Sequence, residues 1–182
     1  MKIKDLRLAL SATPKKADIR YYLNGINVLK HNIVGSTGGV LCYVCTYLND
    51  IPDSHENIIV PTDTVKALLK KAGVKNENME CIIVLINGRY ELQCVGYVEV
   101  FEPVDHKYPD FKKHIDVVKT NNHEENLNKI QHQFDWNNVS NANKAICAYT
   151  GSLTPKRLYS NERLGYFIPT EDIIYIIIPY SI

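Results

Sequence analysis

The sequence predicts an α+β fold in which amphipathic helices pack on antiparallel sheets, and the middle of the chain shows this pattern most clearly. Three strand-like segments, MECIIVLI, RYELQCV and GYVEVFEPV, follow a helical pattern that Gly73 closes. The apolar positions of the helix recur at i, i+3, i+4 and i+7, and they are Val65, Leu68, Leu69 and Ala72.

The order of one helix followed by strands recurs at a period of roughly sixty residues, which indicates an internal repeat. We refer to residues 1–56, 57–118 and 119–182 as the first, second and third units. The first two units are expected to form one domain, 1–118. The third, 119–182, is expected to be an additional half-repeat.

In the first unit, Ile3, Leu6 and Leu10 fall on one helical stripe, and Pro14 should end that helix. The segment DIRYYLNGINVL then predicts a strand in which Asn24-Gly25 makes a tight hairpin. Residues 40–48 predict a further strand.

In the second unit, a short strand at 57–61 leads into the amphipathic helix, for which Thr62 or Asp63 is a candidate cap. The polar stretch 105–126 is interpreted as a connector.

The third unit repeats the order of the second. Residues 129–135 predict a strand, and Asp135 predicts an N-cap. Residues 136–149 predict a helix whose apolar side carries Trp136, Val139, Ala142 or Asn143, and Ile146. The segments PKRLYS, RLGYFIP and DIIYIIIP predict the strands that follow.

The composition limits the classes of partner and the cellular compartment that we expect for this protein. The 182 residues carry a net charge of +1, so any contact with nucleic acid must come from a local basic patch. The longest apolar run, at the end of the chain, is too short to cross a bilayer, and the start lacks a signal-peptide pattern. Because five cysteines are an odd number without a dense framework, reduced thiols in the cytoplasm are expected.

The cysteines do not predict a metal site or an enzyme. Cys42 and Cys45 form a C-x-x-C, but positions i and i+3 of a strand point to opposite faces, and Cys81 and Cys94 are isolated. The GSTGG turn lacks the lysine and the spacing of a phosphate-binding loop. No cofactor and no catalytic constellation is expected.

Four segments in order carry a family resemblance: DIRYYLNG at 18–25, IIVP before a helix at 58–61, VDHKYPDFKK at 104–113, and the final YIIIPYSI. The first three resemble the middle domain of the bacterial DNA polymerase III beta subunit, the sliding clamp, and the last resembles the end of that family's chain. The resemblance covers 1–118 well and 119–182 loosely.

The resemblance implies a clamp-like domain built from two half-repeats, without enzymatic activity. It implies that inner helices present basic side chains to the phosphates of double-stranded DNA without reading bases. The alternative for each lysine is an ordinary solvated helix face. The candidate DNA-binding residues are Lys2, Lys4, Arg7, Lys15, Lys16, Arg20, Tyr21, Lys66, Lys70 and Lys71.

The resemblance also implies an apolar outer pocket for short peptides of DNA polymerases or other clamp-binding proteins. The alternative for the tail is a plain core strand. The pocket loop departs from the family's T-D-G-H-R-L-A, since Ser36 to Cys42 read STGGVLC, so the polar rim of the pocket should differ. The candidate pocket residues are Leu23, Thr37, Gly38, Val40, Leu41, Ile177, Ile178, Pro179, Tyr180 and Ile182.

Two functional hypotheses follow. The first is a clamp-like protein of DNA replication or repair, which forms a homo-oligomer. The second is an orphan clamp-fold adaptor or clamp mimic, from a mobile element, that does not encircle DNA. No membrane partner is expected under either hypothesis.

Overall fold

The computed structural model describes residues 1–46, 57–120, 134–154, 156–160 and 164–179. In all three units one helix is followed by three antiparallel strands. The first unit contains α1 (Ile3–Ser11), β1 (Gly25–Leu29), β2 (Asn32–Ser36) and β3 (Val40–Cys45). The second contains β4 (Ile58–Pro61), α2 (Thr62–Ala72), β5 (Cys81–Ile86), β6 (Arg89–Cys94) and β7 (Tyr97–Phe101). After α3 (Lys112–Thr120), the third contains α4 (Trp136–Thr150), β8 (Tyr159–Ser160), β9 (Gly165–Thr170) and β10 (Ile173–Ile177).

The strands form two sheets. The larger has seven strands in the order β4-β1-β2-β3-β10-β9-β8, and the smaller has the order β5-β6-β7. The third unit joins the first because β10 pairs antiparallel with β3, in a register that opposes Ile174 to Tyr43 and Ile176 to Leu41. The seven-stranded sheet therefore contains the strands β1 to β3 of the first unit, β8 to β10 of the third, and β4 of the second.

Alternating side chains bury both faces of the seven-stranded sheet. On one face, α1 and α4 pack over residues such as Ile26, Cys42 and Tyr175, and α2 packs beside α1 and against the smaller sheet; we call this the helix side. On the other face, α3 packs over residues such as Val34, Leu41 and Ile176, and we call this the α3 side. The helix side thus brings the three repeat helices together, and α3 lies across the sheet from them.

The first and second units pair reciprocally. Strand β4, which leads into α2, pairs with β1, and Gly25 lies opposite Pro61. In the other direction, Lys2, which precedes α1, bridges to Glu80, which precedes β5. In each unit, the residues that precede the helix therefore pair with the sheet of the other unit.

The structure corrects the expectation for residues 18–25. Tyr21–Asn24 form a 3-10 turn, β1 begins only at Gly25, and the hairpin that follows β1 lies at residues 30–31. The Asn24 side chain accepts a hydrogen bond from Asp18 N and donates one to Asp18 O, both at 2.8 Å. The Asn24 side chain thereby satisfies the backbone N–H and C=O groups of Asp18, which in a strand would pair with a neighbouring strand. The segment therefore forms a loop.

The expected connector at 105–126 is also wrong, because it contains α3. Phe111, Ile115 and Val118 are buried on the α3 side at the i, i+4 and i+7 positions of a helical face. The expected cap of α2 is wrong too, since Pro61 occupies the N-cap and no side chain caps that end. Most of the strand predicted at 129–135 lies outside the described residues.

Three predicted helix ends are confirmed, whereas the strand predicted at PKRLYS is reduced to Tyr159–Ser160. The helix of the first unit ends at Ser11, before Pro14. Gly73 closes α2, and its backbone N donates to Leu69 O at 3.1 Å. Asp135 caps α4 by accepting a hydrogen bond from Asn137 N at 2.8 Å.

Candidate DNA-facing and partner-binding surfaces

Several predicted DNA-binding side chains already have partners on the helix side. Lys66 pairs with Asp63 at 3.1 Å and Lys71 with Glu99 at 2.7 Å. Arg7 lies 3.9 Å from Glu77 and donates to Gly73 O at 3.4 Å. The Lys66 pair is exposed and therefore weak, whereas Glu99 and the Arg7–Glu77 pair are partly buried.

The start of α1 is fixed to α4 by a buried carboxylate. Asp5 accepts hydrogen bonds from Lys2 N at 2.7 Å and from the Tyr149 hydroxyl at 2.9 Å. Lys4 Nζ lies 4.8 Å above the centre of the Tyr149 ring. Burial, together with the charge of Asp5, raises the pKa of Tyr149, so its hydroxyl stays protonated and donates.

Other cations on the helix side are exposed and have no ion pair within the described residues. Lys70 of α2 is one, and Lys144 of α4 is another that sequence reasoning missed. Lys144 could have been found, because it lies opposite the buried Ala142 and Ile146 on the predicted helix. Lys15 and Lys16 are exposed in the segment that follows α1.

A polar groove of about 530 Å³ lies between the end of α1 and the start of α4. It brings Lys15 of the predicted DNA-binding set next to Thr37 and Val40 of the predicted pocket. Amide and hydroxyl groups can donate to phosphate oxygens without selecting a base sequence. The other lining residues are Ser11, Thr13, Asn137, Asn138, Asn141 and Tyr175.

Arg20 and Tyr21 are positioned by neighbouring loops. Arg20 makes a two-pronged ion pair with Asp18, with its Nε and Nη2 at 2.9 and 2.7 Å from the carboxylate oxygens. Its Nη2 also donates to Thr37 O at 3.0 Å. The Tyr21 ring stacks on His106 at 5.9 Å between centroids. Arg20 therefore holds the turn between β2 and β3.

The Arg20 hydrogen bonds lower the pKa of Asp18 to about 2. The guanidinium also occupies the space beside Gly38, where φ is +87° and an added Cβ would lie 2.5 Å from Arg20 Nη1. Glycine suits this position because it tolerates both the left-handed backbone and the close approach of the arginine.

The predicted pocket residues divide between the two faces of the sheet. Leu41 is buried on the α3 side, whereas Val40 and Ile177 are buried on the helix side. Leu23 is buried, and Ile178, whose backbone N donates to Gly39 O at 2.9 Å, is 37% exposed. Thr37 and Gly38 form the turn beside Arg20, and Pro179 ends the described residues. Tyr180 and Ile182 lie outside them.

The chain itself fills the apolar surface around Leu41. Tyr108, Phe111 and Ile115 are buried in the same cluster as Leu41 and Ile176, and burial raises the pKa of the Tyr108 hydroxyl. Sequence reasoning missed this cover because it treated the segment as a connector. Any partner that reaches Leu41 must either displace this cover or bind at its margin.

The cysteines are all free thiols. Cys42 is buried on the helix side and Cys45 packs against the α3 side, so the two point to opposite faces, as their spacing predicts. Burial raises the pKa of Cys42 far above its usual value. Within the described ranges, no three histidine, cysteine or acidic side chains group as metal ligands, and no helix is long and apolar enough to cross a membrane.

Comparison with known proteins identifies the fold. The sequence matches no protein-family profile and no curated protein. The structure, however, has the α+β fold of DNA polymerase sliding clamps.

A sliding clamp from Pseudomonas aeruginosa superposes with a TM-score of 0.63 and 14% sequence identity over 100% of this chain. A clamp from Bacillus subtilis has a TM-score of 0.63 and 15% identity over 99% of this chain. The beta subunit from Borrelia burgdorferi, solved with a natural product, has a TM-score of 0.61 and 14% identity. This chain spans 66%, 62% and 63% of those three chains, respectively.

Proposed function

We propose that this protein is a non-enzymatic, clamp-like protein of DNA replication or repair that acts in the cytoplasm. The observation that supports the proposal most strongly is the clamp fold, which extends over the whole chain. The helix side contacts double-stranded DNA, and the surface around the β2–β3 turn and the end of β10 binds a replication partner.

Contact with DNA is electrostatic and does not depend on sequence. Lys70 and Lys144 project from α2 and α4, and Lys15 lies at the polar groove between α1 and α4. The neighbouring asparagines of α4 donate hydrogen bonds to the phosphates or to intervening water. Such contacts release counterions, so affinity falls steeply as salt concentration rises.

The test is duplex binding measured over a series of salt concentrations with the double variant Lys70→Ala/Lys144→Ala. We expect weaker binding and a log K against log salt slope reduced by about 2, since each phosphate contact contributes about 0.9. The matched control is Lys112→Ala/Lys113→Ala, which removes two exposed lysines of α3 from the opposite side of the sheet. An equal loss in both double variants would contradict the assignment to the helix side.

The partner is a short peptide segment of a DNA polymerase or another clamp-binding protein, with leucine or phenylalanine anchors. The exposed Ile178 beside Gly39 and the apolar margin near Leu41 suit such anchors. Because the turn reads STGG and is held by Arg20, the polar part of the motif should differ from that of other clamps. A pull-down in which Ile178→Asp retains every partner of the parent chain would contradict this surface.

A clamp-fold adaptor that does not encircle DNA is the second candidate. The carboxylate partners of Lys66, Lys71 and Arg7 favour it, because they offset basic side chains that would otherwise face DNA. Absence of duplex binding at low salt, with partner capture retained, would select the adaptor over the DNA-binding clamp.

A further inference from the structure

Two cysteines that are isolated in the sequence lie side by side in the smaller sheet. Strands β5 and β6 form a hairpin, and its register places Cys81 directly opposite Cys94. They are the first residue of β5 and the last of β6, so the pair lies at the open end of the hairpin. Both side chains are buried, in the same apolar cluster as Leu6 of α1 and Leu68 of α2.

The backbone of Cys81 shows how the two side chains meet. Its N–H donates to Met1 O at 2.6 Å, and its carbonyl accepts from Met1 N at 3.3 Å. Both groups therefore point away from β6, because the N–H and C=O of one residue lie on the same side of an antiparallel strand. Cys81 and Cys94 consequently form a non-hydrogen-bonded pair, the type in which Cα atoms lie about 4.5 Å apart and side chains are closest.

This geometry suits a covalent bond between the two sulfurs. Disulfides join residues whose Cα atoms lie roughly 4.4–6.8 Å apart and whose Cβ atoms approach each other, which a directly opposed pair on one face of a sheet satisfies. The other cysteines are placed differently. Cys42 and Cys45 have no cysteine opposite them in the described strands, and Cys147 lies on α4.

The closed sheet makes the pair slow to react. Burial raises the pKa of Cys81 most, and the neighbouring Cys94 raises it further through its charge and a hydrogen bond, so the Cys81 thiol holds its proton. Access comes from the end of the hairpin, because the two-residue turn that follows Cys94 is exposed and Val95 within it is 70% exposed. Fraying at this end uncovers the thiols without unfolding the core.

We propose that Cys81 and Cys94 form a reversible oxidation site, at which a low-molecular-weight disulfide such as glutathione disulfide converts the two thiols into a disulfide between β5 and β6. One cysteine thiolate attacks the oxidant, which forms a mixed disulfide and releases the first glutathione. The second cysteine attacks the mixed disulfide and releases the other. Two protein thiols are oxidised, one glutathione disulfide is reduced to two thiols, and the two cysteine protons end on those thiols.

The bond would secure the point where the first two units meet. Cys81 carries the hydrogen bonds to Met1, and the adjacent Glu80 bridges to Lys2 in front of α1. A cross-link at the hairpin end restricts the unfolded chain and opposes fraying, so the oxidised hairpin opens less often. Disulfides of cytoplasmic proteins are usually transient bonds of this redox-responsive kind. The inference concerns the thiols alone, so its test needs neither DNA nor a partner peptide.

The test is equilibration of the native full chain with mixtures of reduced and oxidised glutathione, followed by alkylation of the remaining thiols and mass spectrometry. We expect a chain that has lost two hydrogens and a proteolytic fragment that links Cys81 to Cys94. The equilibrium constant for the bond should be about a hundredfold larger in the native chain than in the urea-unfolded chain, because the fold holds the sulfurs together. Approach from both the reduced and the oxidised chain establishes that equilibrium has been reached.

Cys94→Ala should abolish the two-hydrogen loss, and alanine is the replacement because it leaves no polar group buried without a partner. Cys147→Ala is the matched control, since it removes a thiol of α4 and should leave the native constant unchanged. Amide hydrogen exchange of β5 and β6 should be slower in the oxidised parent chain than in the reduced one.

Three results would overturn the proposal. The first is a native constant no larger than that of the unfolded chain. The second is a stable glutathione adduct on Cys81 or Cys94 in place of the link between them. The third is a two-hydrogen loss that persists in Cys94→Ala, which would assign the bond to other cysteines.

Discussion

Arg20 illustrates how one side chain organises a surface that apolar residues were expected to define. It binds Asp18 through two hydrogen bonds and reaches across to Thr37 O. Its role in the sequence-based reasoning was contact with DNA, which stays a prediction. The observed contacts assign it a structural part as well, because it fixes the turn before β3 and makes glycine the suitable residue at position 38.

The pKa of Asp18 tests this contact directly. In Arg20→Ala, we expect the pKa of Asp18 to rise from about 2 toward its ordinary value of 3.8, because the two guanidinium donors are lost and only the backbone N–H of residue 20 remains. Since the folded pKa is depressed, the pair stabilises the fold above about pH 4, and this contribution disappears as the pH falls toward 2. Carbon-detected NMR titration of the carboxylate measures the shift.

Arg89→Ala is the control for that titration, since Arg89 lies in the other sheet, on β6. It should leave Asp18 unchanged. A pKa that remains near 2 in Arg20→Ala would assign the depression to another source.

Among the helices and strands, α3 changes the predicted partner-binding surface most. It buries Phe111, Ile115 and Val118 against the seven-stranded sheet, opposite the repeat helices. Sequence reasoning missed it because the helix is short and is flanked by charged residues, which obscured the i, i+4, i+7 pattern. The longer helices were predictable, because α2 and α4 carry an uninterrupted apolar face and clear end signals at Gly73 and Asp135.

Adjacent valines of α3 allow a matched test of its packing. Val118 is fully buried and Val117 is 39% exposed. We expect Val118→Ala to lower the free energy of unfolding by about 1–3 kcal/mol, from the lost apolar burial and the residual cavity. Val117→Ala should change it by less than about 0.5 kcal/mol. Urea denaturation measures both values, and equal effects would show that α3 does not pack on the sheet as described.

For the 3-10 turn at Tyr21–Asn24, the sequence signal was ambiguous because aromatic and branched residues favour a strand. The Asn24 side chain decides the outcome by bonding to both backbone groups of Asp18. Hydrogen bonds of this kind, between a side chain and a nearby backbone, depend on the loop geometry, which the strand propensity of the residues does not determine. The same limit applies to Arg7 and Lys71, because their carboxylate partners, Glu77 and Glu99, lie on other elements.

At the scale of the whole molecule, the pairing of β3 with β10 joins units that are not neighbours in sequence. Alternating apolar residues predicted both strands but could not identify their partners, because period-two patterns are alike in every strand. The apolar tail was interpreted either as a pocket or as a core strand. Ile176 and Ile177 are buried, as the core-strand interpretation predicts, whereas Ile178 lies at the surface.

A shared sheet predicts that the first and third units unfold together. The sole tryptophan reports the third unit, and far-UV circular dichroism reports all units. We expect the two thermal transitions to coincide, because loss of β10 exposes β3 and the apolar residues beneath it. Two separated transitions would show that the third unit is an independent body.

The same strand pairing has a consequence for synthesis on the ribosome. Strand β10 emerges long after β3, so the growing chain must hold an unpaired apolar strand edge while the second unit and α3 are made. Such edges pair readily with other chains, and long-range pairing is slow to form. The nascent chain should therefore be a chaperone client throughout this interval, and its yield should depend more on translation rate than that of a protein whose strands pair in order of synthesis.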